Sequence, residues 1–473
     1  MPWLEAAAPV RMERVALVAP AGSLRQVLVQ VADAGAVEID ESGRDADTPS
    51  LSARLLRAAG RERQTPALSA APADPAELDR AKRYDLLAGE AQLDAHAAAA
   101  VRRGSAAGLA GWVPANRLPE VAGRIAELGG ALVPLPHPPG SQAPTLLGGP
   151  PLRRSLMPLV RTYGTVPYAD IDPSWLAWAS YVLMFGMMFG DVGQGLLLVG
   201  AAVALRAGWP ARARRYRPAW PFVGGAGVAA TGFGLLYGEC FGPTGLVPTL
   251  WLNPLDEPIP LLLAALAVGA VLLAGAYALG AINRWREGGW PVALYAPSGA
   301  AGISLFLGIG LAAGGWYFHD GALIWAGAAI AVVGLVLAFI GFFTEAGGKG
   351  TGVVQALVEL FDLVIRLGSN VVSFARLAAF GLTHAALGLV VWEGTQALWH
   401  KGGVMVVVAA LVFVAGNAVA FALEALVAAI QALRLEYYEL FSRVFQLQGR
   451  EFRPWHVPTS SDPAPAVTAA GPG

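Results

Sequence analysis

From Trp175 onward the chain is a succession of apolar blocks too long for a soluble core. A helix that crosses a bilayer needs about 20 apolar residues. Seven blocks reach that length: 174–206, 219–240, 259–282, 291–317, 322–343, 352–399 and 402–446. The first is interrupted by "FGDVGQG", with Asp191 and three glycines near its centre, and reads as two short spans in a hairpin. The expectation is therefore a mainly α membrane protein with about eight transmembrane helices over 174–456. Composition agrees: 14% of residues are charged, against about 25% in ordinary soluble domains. A net charge of −1 suggests no nucleic-acid partner.

Residues 1–135 have a different character. "ERVALVAP", "GSLRQVLVQVADAG" and "AVEID" read as strand, helix and strand, and the pattern returns in "GLAGWVPA", "LPEVAGRIAELGG" and "ALVPLP". A polar, Ala-rich helical stretch (75–101) separates the two units, so a small α+β domain is expected. The run "PHPPGSQAPTLLGGPP" opens a linker assigned to 136–173. Residues 457–473, rich in Pro, Ala, Gly, Thr and Ser, read as a disordered tail. The first thirty residues hold no long apolar core, so no secretory signal is expected and the N-terminal domain is assigned to the cytoplasm.

The distribution of basic residues orients the spans. With eight crossings and a cytoplasmic N-terminus, "ARARRYR" (211–217), "NRWREGG" (283–289) and the tail "RVFQLQGREFRPW" (443–455) all fall inside. The outside receives "GPTGLVPTLWLNPLDEPIP", "HDG" and "HKGG", which carry few positive charges. Seven crossings would put 211–217 outside and spoil the balance. The expectation is a multi-pass cell-membrane protein with both termini cytoplasmic.

Two of the blocks carry polar seams. In "SNVVSFARLAAFGLTHAALGLVVW" (369–392) nothing acidic lies within ten residues of Arg376. At helical spacing Asp362, Arg366, Ser369, Ser373, Arg376 and Thr383 share a face that His384 borders. On the last block Asn417, Glu424 and Gln431 recur every seven residues, with Arg434 nearby. A charge at the bilayer centre costs about 2.5–3.5 kcal/mol on insertion scales, so such residues face protein or a water-filled path. Two bland pairings are open: Arg376 with Glu424 across the helices, or Arg366 with Asp362 at i, i+4. Several ionisable groups at graded depths suit an aqueous ion route better than a single glue pair. If the penultimate helix runs outward, His384 lies about 12 Å outward of Arg376 at 1.5 Å per residue, and Glu424 about 15 Å outward of Arg434. Asp362 falls on the opposite side.

Other signals are weak. "GGKGTG" (347–352) lacks the Gly-Lys-Ser/Thr order of a phosphate loop, and no strand precedes it. No nucleophile elbow or His-Glu-x-x-His pair occurs, so no catalytic site, cofactor or metal is expected. Cys240 stands alone, which excludes an internal disulfide. Glu239 in "YGECFG" ends a helix near the outer surface; it could bind an ion, but an end-of-helix charge is more often simply solvated.

The motifs resemble one family. "RTYGTVPYADIDPSWLAWASYVLMFGMMFGDVGQG", "GFGLLYGECFG", "SNVVSFARLAAFGLTHAAL" and "ALEALVAAIQALRLEYYELFSRVFQLQGREFRPW" are similar to signatures of the V-type ATPase a subunit, called subunit I in bacteria and archaea. "MERVALVAP" and "GWVPANRLPEV" resemble the start and end of its cytoplasmic domain. The resemblance implies a stator beside a rotating ring of proteolipid c subunits, held by peripheral-stalk subunits. Its last two long, tilted helices would supply offset half-channels for protons or sodium ions. It implies that Arg376 matches the essential arginine, Arg434 a second one, His384 and Glu424 the outer half-channel, and Asp362 the inner entrance. Ser369, Ser373, Thr383, Asn417, Gln431 and Arg366 would line the path. No nucleotide site is implied in this chain. Two departures stand out: the cytoplasmic region is short, with the coiled-coil arm largely absent, and Arg366 adds a charge to the inner seam. The alternative function is a stand-alone secondary ion transporter, which would favour paired broken helices in inverted repeats; one interrupted helix and no repeat are visible.

Overall fold

A computed structural model describes residues 8–40, 49–136, 142–148, 151–348, 350–445 and 449–460. The described residues divide into two compact units, one within 9–148 and 449–460 and one of residue 8 with those within 151–445.

The smaller unit is an α+β domain. Its elements are β1 (Met12–Pro20), α1 (Leu24–Ala34), β2 (Glu38–Ile39), α2 (Leu51–Ala58), α3 (Pro75–Arg80), α4 (Tyr84–Ala99), β3 (Val101–Arg103), β4 (Ala106–Pro114), α5 (Leu118–Ala126) and β5 (Ala131–Pro134). The strands pair antiparallel in the order β2-β4-β1-β5, with β3 also on β4. The two strand–helix–strand units thus interleave as a split βαβ arrangement. Alternation in β1 puts Val15, Leu17 and Ala19 in the core, against Val27, Leu28 and Val31 of α1 and Ile125 of α5. Arg25 pairs with Glu90 across this packing, yet burial pushes the Glu90 carboxyl above its ordinary range.

The domain boundaries differ from the expected ones at both ends. Residues 449–460, distant in sequence, complete the small domain. The Trp455 N–H donates to the Val37 carbonyl at 2.8 Å and the Leu68 N–H to the Pro458 carbonyl at 3.0 Å. Arg450 meets Glu38 at 2.6 Å. Val457 is 1% exposed. Apolar side chains at 452, 455 and 457 give this stretch a core-facing side, so the expected tail packs as far as Ser460; residues 461–473 lie outside the described residues. The expected linker 136–173 also contains a helix, α6 (Pro151–Tyr163), which belongs to the larger unit.

The larger unit holds α7 (Ser174–Met188), α8 (Val192–Ala207), a 3-10 stretch (Ala211–Ala219), α9 (Trp220–Tyr237), α10 (Pro258–Tyr295), α11 (Ala300–Phe318), α12 (Gly321–Glu345), α13 (Gly350–Ser373), α14 (Ala375–Trp399) and α15 (Val404–Leu435). A π-helical turn (Glu436–Phe441) and α16 (Ser442–Val444) follow. Among the described residues six helical segments are long and apolar enough to cross a membrane, and α7 and α8 are two shorter apolar helices. The chain is a mainly α, multi-pass membrane protein with a small N-terminal sheet domain. The 50-residue segment Gly350–Trp399 and the 41-residue segment Val404–Val444 far exceed one perpendicular crossing.

Small residues set the packing. Without water to drive apolar association, helices in lipid gain most from close backbone approach. Gly186 lies against Ala229, Gly195 against Thr231, and Gly234 against Asp191 and Val192. The contacts run in parallel order for α7 and in reverse order for α8, so α9 sits between the two legs of the expected hairpin. The α11–α12 hairpin closes the same way: Gly308 faces Ala331, and Gly327, Gly334 and Gly341 recur every seven residues along α12. A Cβ at Gly308 would stand 2.3 Å from the Ala331 nitrogen, whereas one at Gly310 would meet nothing within 4 Å. Gly308→Val should therefore cost about 1–3 kcal/mol by overpacking and lower the thermal midpoint of the detergent-solubilised chain, read by size-exclusion after heating. Gly310→Ala should leave the midpoint unchanged or slightly raised. Equal effects would contradict this packing.

Candidate functional site

The site lies where α14 and α15 cross the larger unit side by side. Their contacts run in opposite orders: Arg376 with Gln431, His384 with Glu424, and Val391 with Gly416. The helices are antiparallel, so equal steps along each reach equal depth.

Arg376 sits at the start of α14, just after the break at Phe374. That ring is fully buried and packs on Gly269 of α10, where a Cβ would come within 2.2 Å of it. The break therefore fixes the first turn of α14 against α10. Arg376 is half-buried, and its guanidinium donates to Gln431 Oε1 at 3.4 Å. No carboxylate lies within ion-pair distance of it among the described residues; Arg434 and Glu439 lie within electrostatic reach. Arg434, on the last turn of α15, is exposed. One side of α15 is open along its length, through Leu411, Leu423, Leu426 and Ile430.

About two helical turns from Arg376, His384 Nδ1 and Glu424 Oε2 form a short contact. Both are largely buried, with side chains 6% and 12% exposed. The bland pairing of Arg376 with Glu424 is not formed: Glu424 is taken by the imidazole, Arg376 by an amide. Around the pair stand Asp191 and Glu239, whose ligand atoms and one from His384 lie within 4.8 Å of one another. These three could hold a cation together, and Glu424 presents a second, buried oxygen without a partner. Asn417, one heptad from Glu424, accepts from Gln194 Nε2 at 3.5 Å. Buried polar side chains thus stand at Asn417 and, about two turns along α15, in the group of Glu424, His384 and Glu239.

The remaining sequence candidates are placed apart. Asp362 and Arg366 pair with each other at 2.5 Å on exposed α13, as the i, i+4 alternative anticipated. Ser373 and Thr383 donate to carbonyls of their own helix, at 3.1 and 2.8 Å. Ser369 is exposed.

Three members of the site were set aside or missed at the level of the sequence. Glu239 was expected to be solvated, yet it is 4% exposed. Gly238, at φ +75°, ends α9 and turns the chain so that Val192 N–H donates to the Glu239 carbonyl at 2.9 Å. Asp191 read only as an interruption. It caps α8 by accepting from Gln194 N–H at 2.8 Å and ties in the next turn by accepting from Gly242 N–H at 3.1 Å. Gln194 carried no signal beyond being polar in an apolar block.

Removing one member of a buried pair strands the other at about 3–5 kcal/mol. His384→Leu and Glu424→Leu should each lower the thermal midpoint markedly, and the double variant should lose clearly less than the two combined. Additive shifts, measured on the same detergent-solubilised chain, would contradict the pairing.

No family model matches the chain. Curated proteins are similar to it. A-type ATP synthase subunit I of Pyrococcus horikoshii is 28% identical over 364 residues, covering 74% of this chain and 53% of the relative. The subunit I of Thermococcus kodakarensis is 27% identical over 368 residues, covering 73% and 53%. That of Aeropyrum pernix is 27% identical over 413 residues, covering 76% and 58%. The chain spans about half the length of these relatives.

Proposed function

This chain belongs to the V-type ATPase a subunit family, and we propose that it is the ion-translocating stator of a rotary ATPase membrane sector. The observation that carries the reading is Arg376: half-buried between long apolar helices and without an acidic partner among the described residues. Further along α14 and α15 lies a buried His384–Glu424–Glu239 cluster, and before the break at Phe374, on α13, the Asp362–Arg366 pair. In this reading the missing partner is transient and belongs to another chain, a carboxyl on a proteolipid c ring turning past α14 and α15.

The chemistry follows from the guanidinium. It stays protonated under all working conditions. A carboxyl that approaches it is favoured in its ionised form, so the arriving group gives up its proton or cation to the adjoining half-channel. After the carboxylate moves on, it takes up an ion from the other side. The His384–Glu424–Glu239 cluster serves the outer half-channel and Asp362 the inner one. A fixed positive charge between them opposes leakage. Gln431 holds Arg376 in place without neutralising it. The ATP-hydrolysing or ATP-forming sites lie in other subunits, and peripheral-stalk subunits hold this chain against rotation.

Two experiments test the reading. In the assembled complex, Arg376→Ala should abolish ATP-driven acidification or sodium uptake by reconstituted vesicles. Arg376→Lys should fail nearly as completely, because an ammonium lacks the planar multi-donor fork. Normal pumping by an assembled Arg376→Ala complex would sink the proposal. Orientation is tested separately in a Cys240→Ser background. Ala213→Cys, in the basic segment, should react with an impermeant thiol reagent only from the cytoplasmic side. Leu246→Cys, at the opposite end of α9, should react only from outside. The reverse pattern would invert the half-channels.

A further inference from the structure

The hairpin α7–α8 does not close on itself. Because α9 lies between the legs, an apolar groove of about 530 Å³ remains along their open side. Its walls include Trp175, Trp178, Val203, Trp220 and Val228. The walls are fixed. Trp178 Nε1 donates to the Pro221 carbonyl at 3.1 Å, Gly225 packs on Trp178, and Gly224 packs on Ala202. Val203 and Val228, at 63% and 65% exposed, line the groove toward the surrounding medium.

One end of this groove is strongly basic. Arg206 lines it and stacks over Trp220, with the guanidinium carbon 4.8 Å from the ring centroid. Stacking occupies the face of the guanidinium and leaves its N–H edge free to donate. Arg214 lies beside Gly208, the residue that ends α8. Arg212, Arg215 and Arg217 follow on the same exposed 3-10 stretch. None of these five arginines has an acidic partner among the described residues. Exposed Trp175, Trp209 and Tyr216 surround this end, as aromatic residues do at the level of lipid headgroups.

An apolar slot that ends in unpaired arginines at headgroup depth fits one kind of occupant. We propose that this groove is a binding site for an anionic glycerophospholipid. One acyl chain lies between α7 and α8, and the phosphate meets Arg206 and Arg214. A neutral lipid or an apolar helix would fill the slot but leave the arginines unmet. Basic pockets between membrane helices on the cytoplasmic side recruit anionic headgroups in this way. The inference does not depend on the ion path, since none of these residues belongs to the His384–Glu424 cluster.

The test uses the full chain in mild detergent, stripped of lipid and then offered phosphatidylglycerol and phosphatidylcholine at equal concentration. Retained lipid is read by native mass spectrometry. One phosphatidylglycerol should be kept in preference to phosphatidylcholine. Each arginine near a membrane surface favours an anionic lipid by about fivefold, so Arg206→Ala/Arg214→Ala should erase most of the preference. Val228→Trp, which fills the groove from an exposed position, should reduce retention of both lipids. Equal retention of the two lipids by the native chain would overturn the proposal. So would a preference that survives the double arginine substitution.

Discussion

An ionisable side chain in a bilayer must be met by another group, and that requirement organises the larger unit of this chain. The hydrocarbon core offers no water to solvate a charge. Several buried ionisable groups of the helical unit have such a partner. His384 and Glu424 meet each other, Asp191 is held by two backbone N–H groups, and Glu436 accepts from Ser180 Oγ at 2.6 Å. Arg376 differs from these: its neighbour is the neutral amide of Gln431. A guanidinium held but not neutralised is suited to a partner that comes and goes.

The packing that permits this arrangement is made by small residues. Glycines let α9 enter between α7 and α8 and let α11 close on α12, while Gly269 admits the Phe374 ring that sets the start of α14. The close approaches fix the scaffold, and the polar groups are mounted on it. The tip between α7 and α8 shows the two acting together. Gly234 lets the backbone of Asp191 come near, and Asp191 then anchors the turn that carries Glu239.

Much of this was legible in the sequence, for physical reasons. Hydropathy reveals long helices because nothing else tolerates about 20 apolar residues in a row. Seven-residue spacing reveals the seam on α15 because it is nearly two turns of helix. The burial of Glu239 was not legible. It depends on a glycine-ended helix and on a chain reversal that brings residue 239 to residue 192, a contact no local pattern encodes. The ordered stretch 449–460 was hidden likewise. Its composition suggests a tail, but Trp455 and Val457 find a core made by residues more than three hundred positions earlier. For Thr383 and Ser373 the sequence reveals position but not hydrogen bonding. They sit on the expected face, yet their hydroxyls are taken by their own helix.

The central claim is that the open side of α15, level with Arg376 and Arg434, faces a moving carboxyl on another chain. The most direct measurement is site-specific photo-cross-linking from Ile430, which is exposed on α15 about one turn from Arg434, within the assembled and active complex. The account predicts an adduct with a small membrane subunit that carries an intramembrane carboxyl, and loss of ATP-driven transport in proportion to the adduct formed. Labelling of lipid alone, with transport intact, would contradict it.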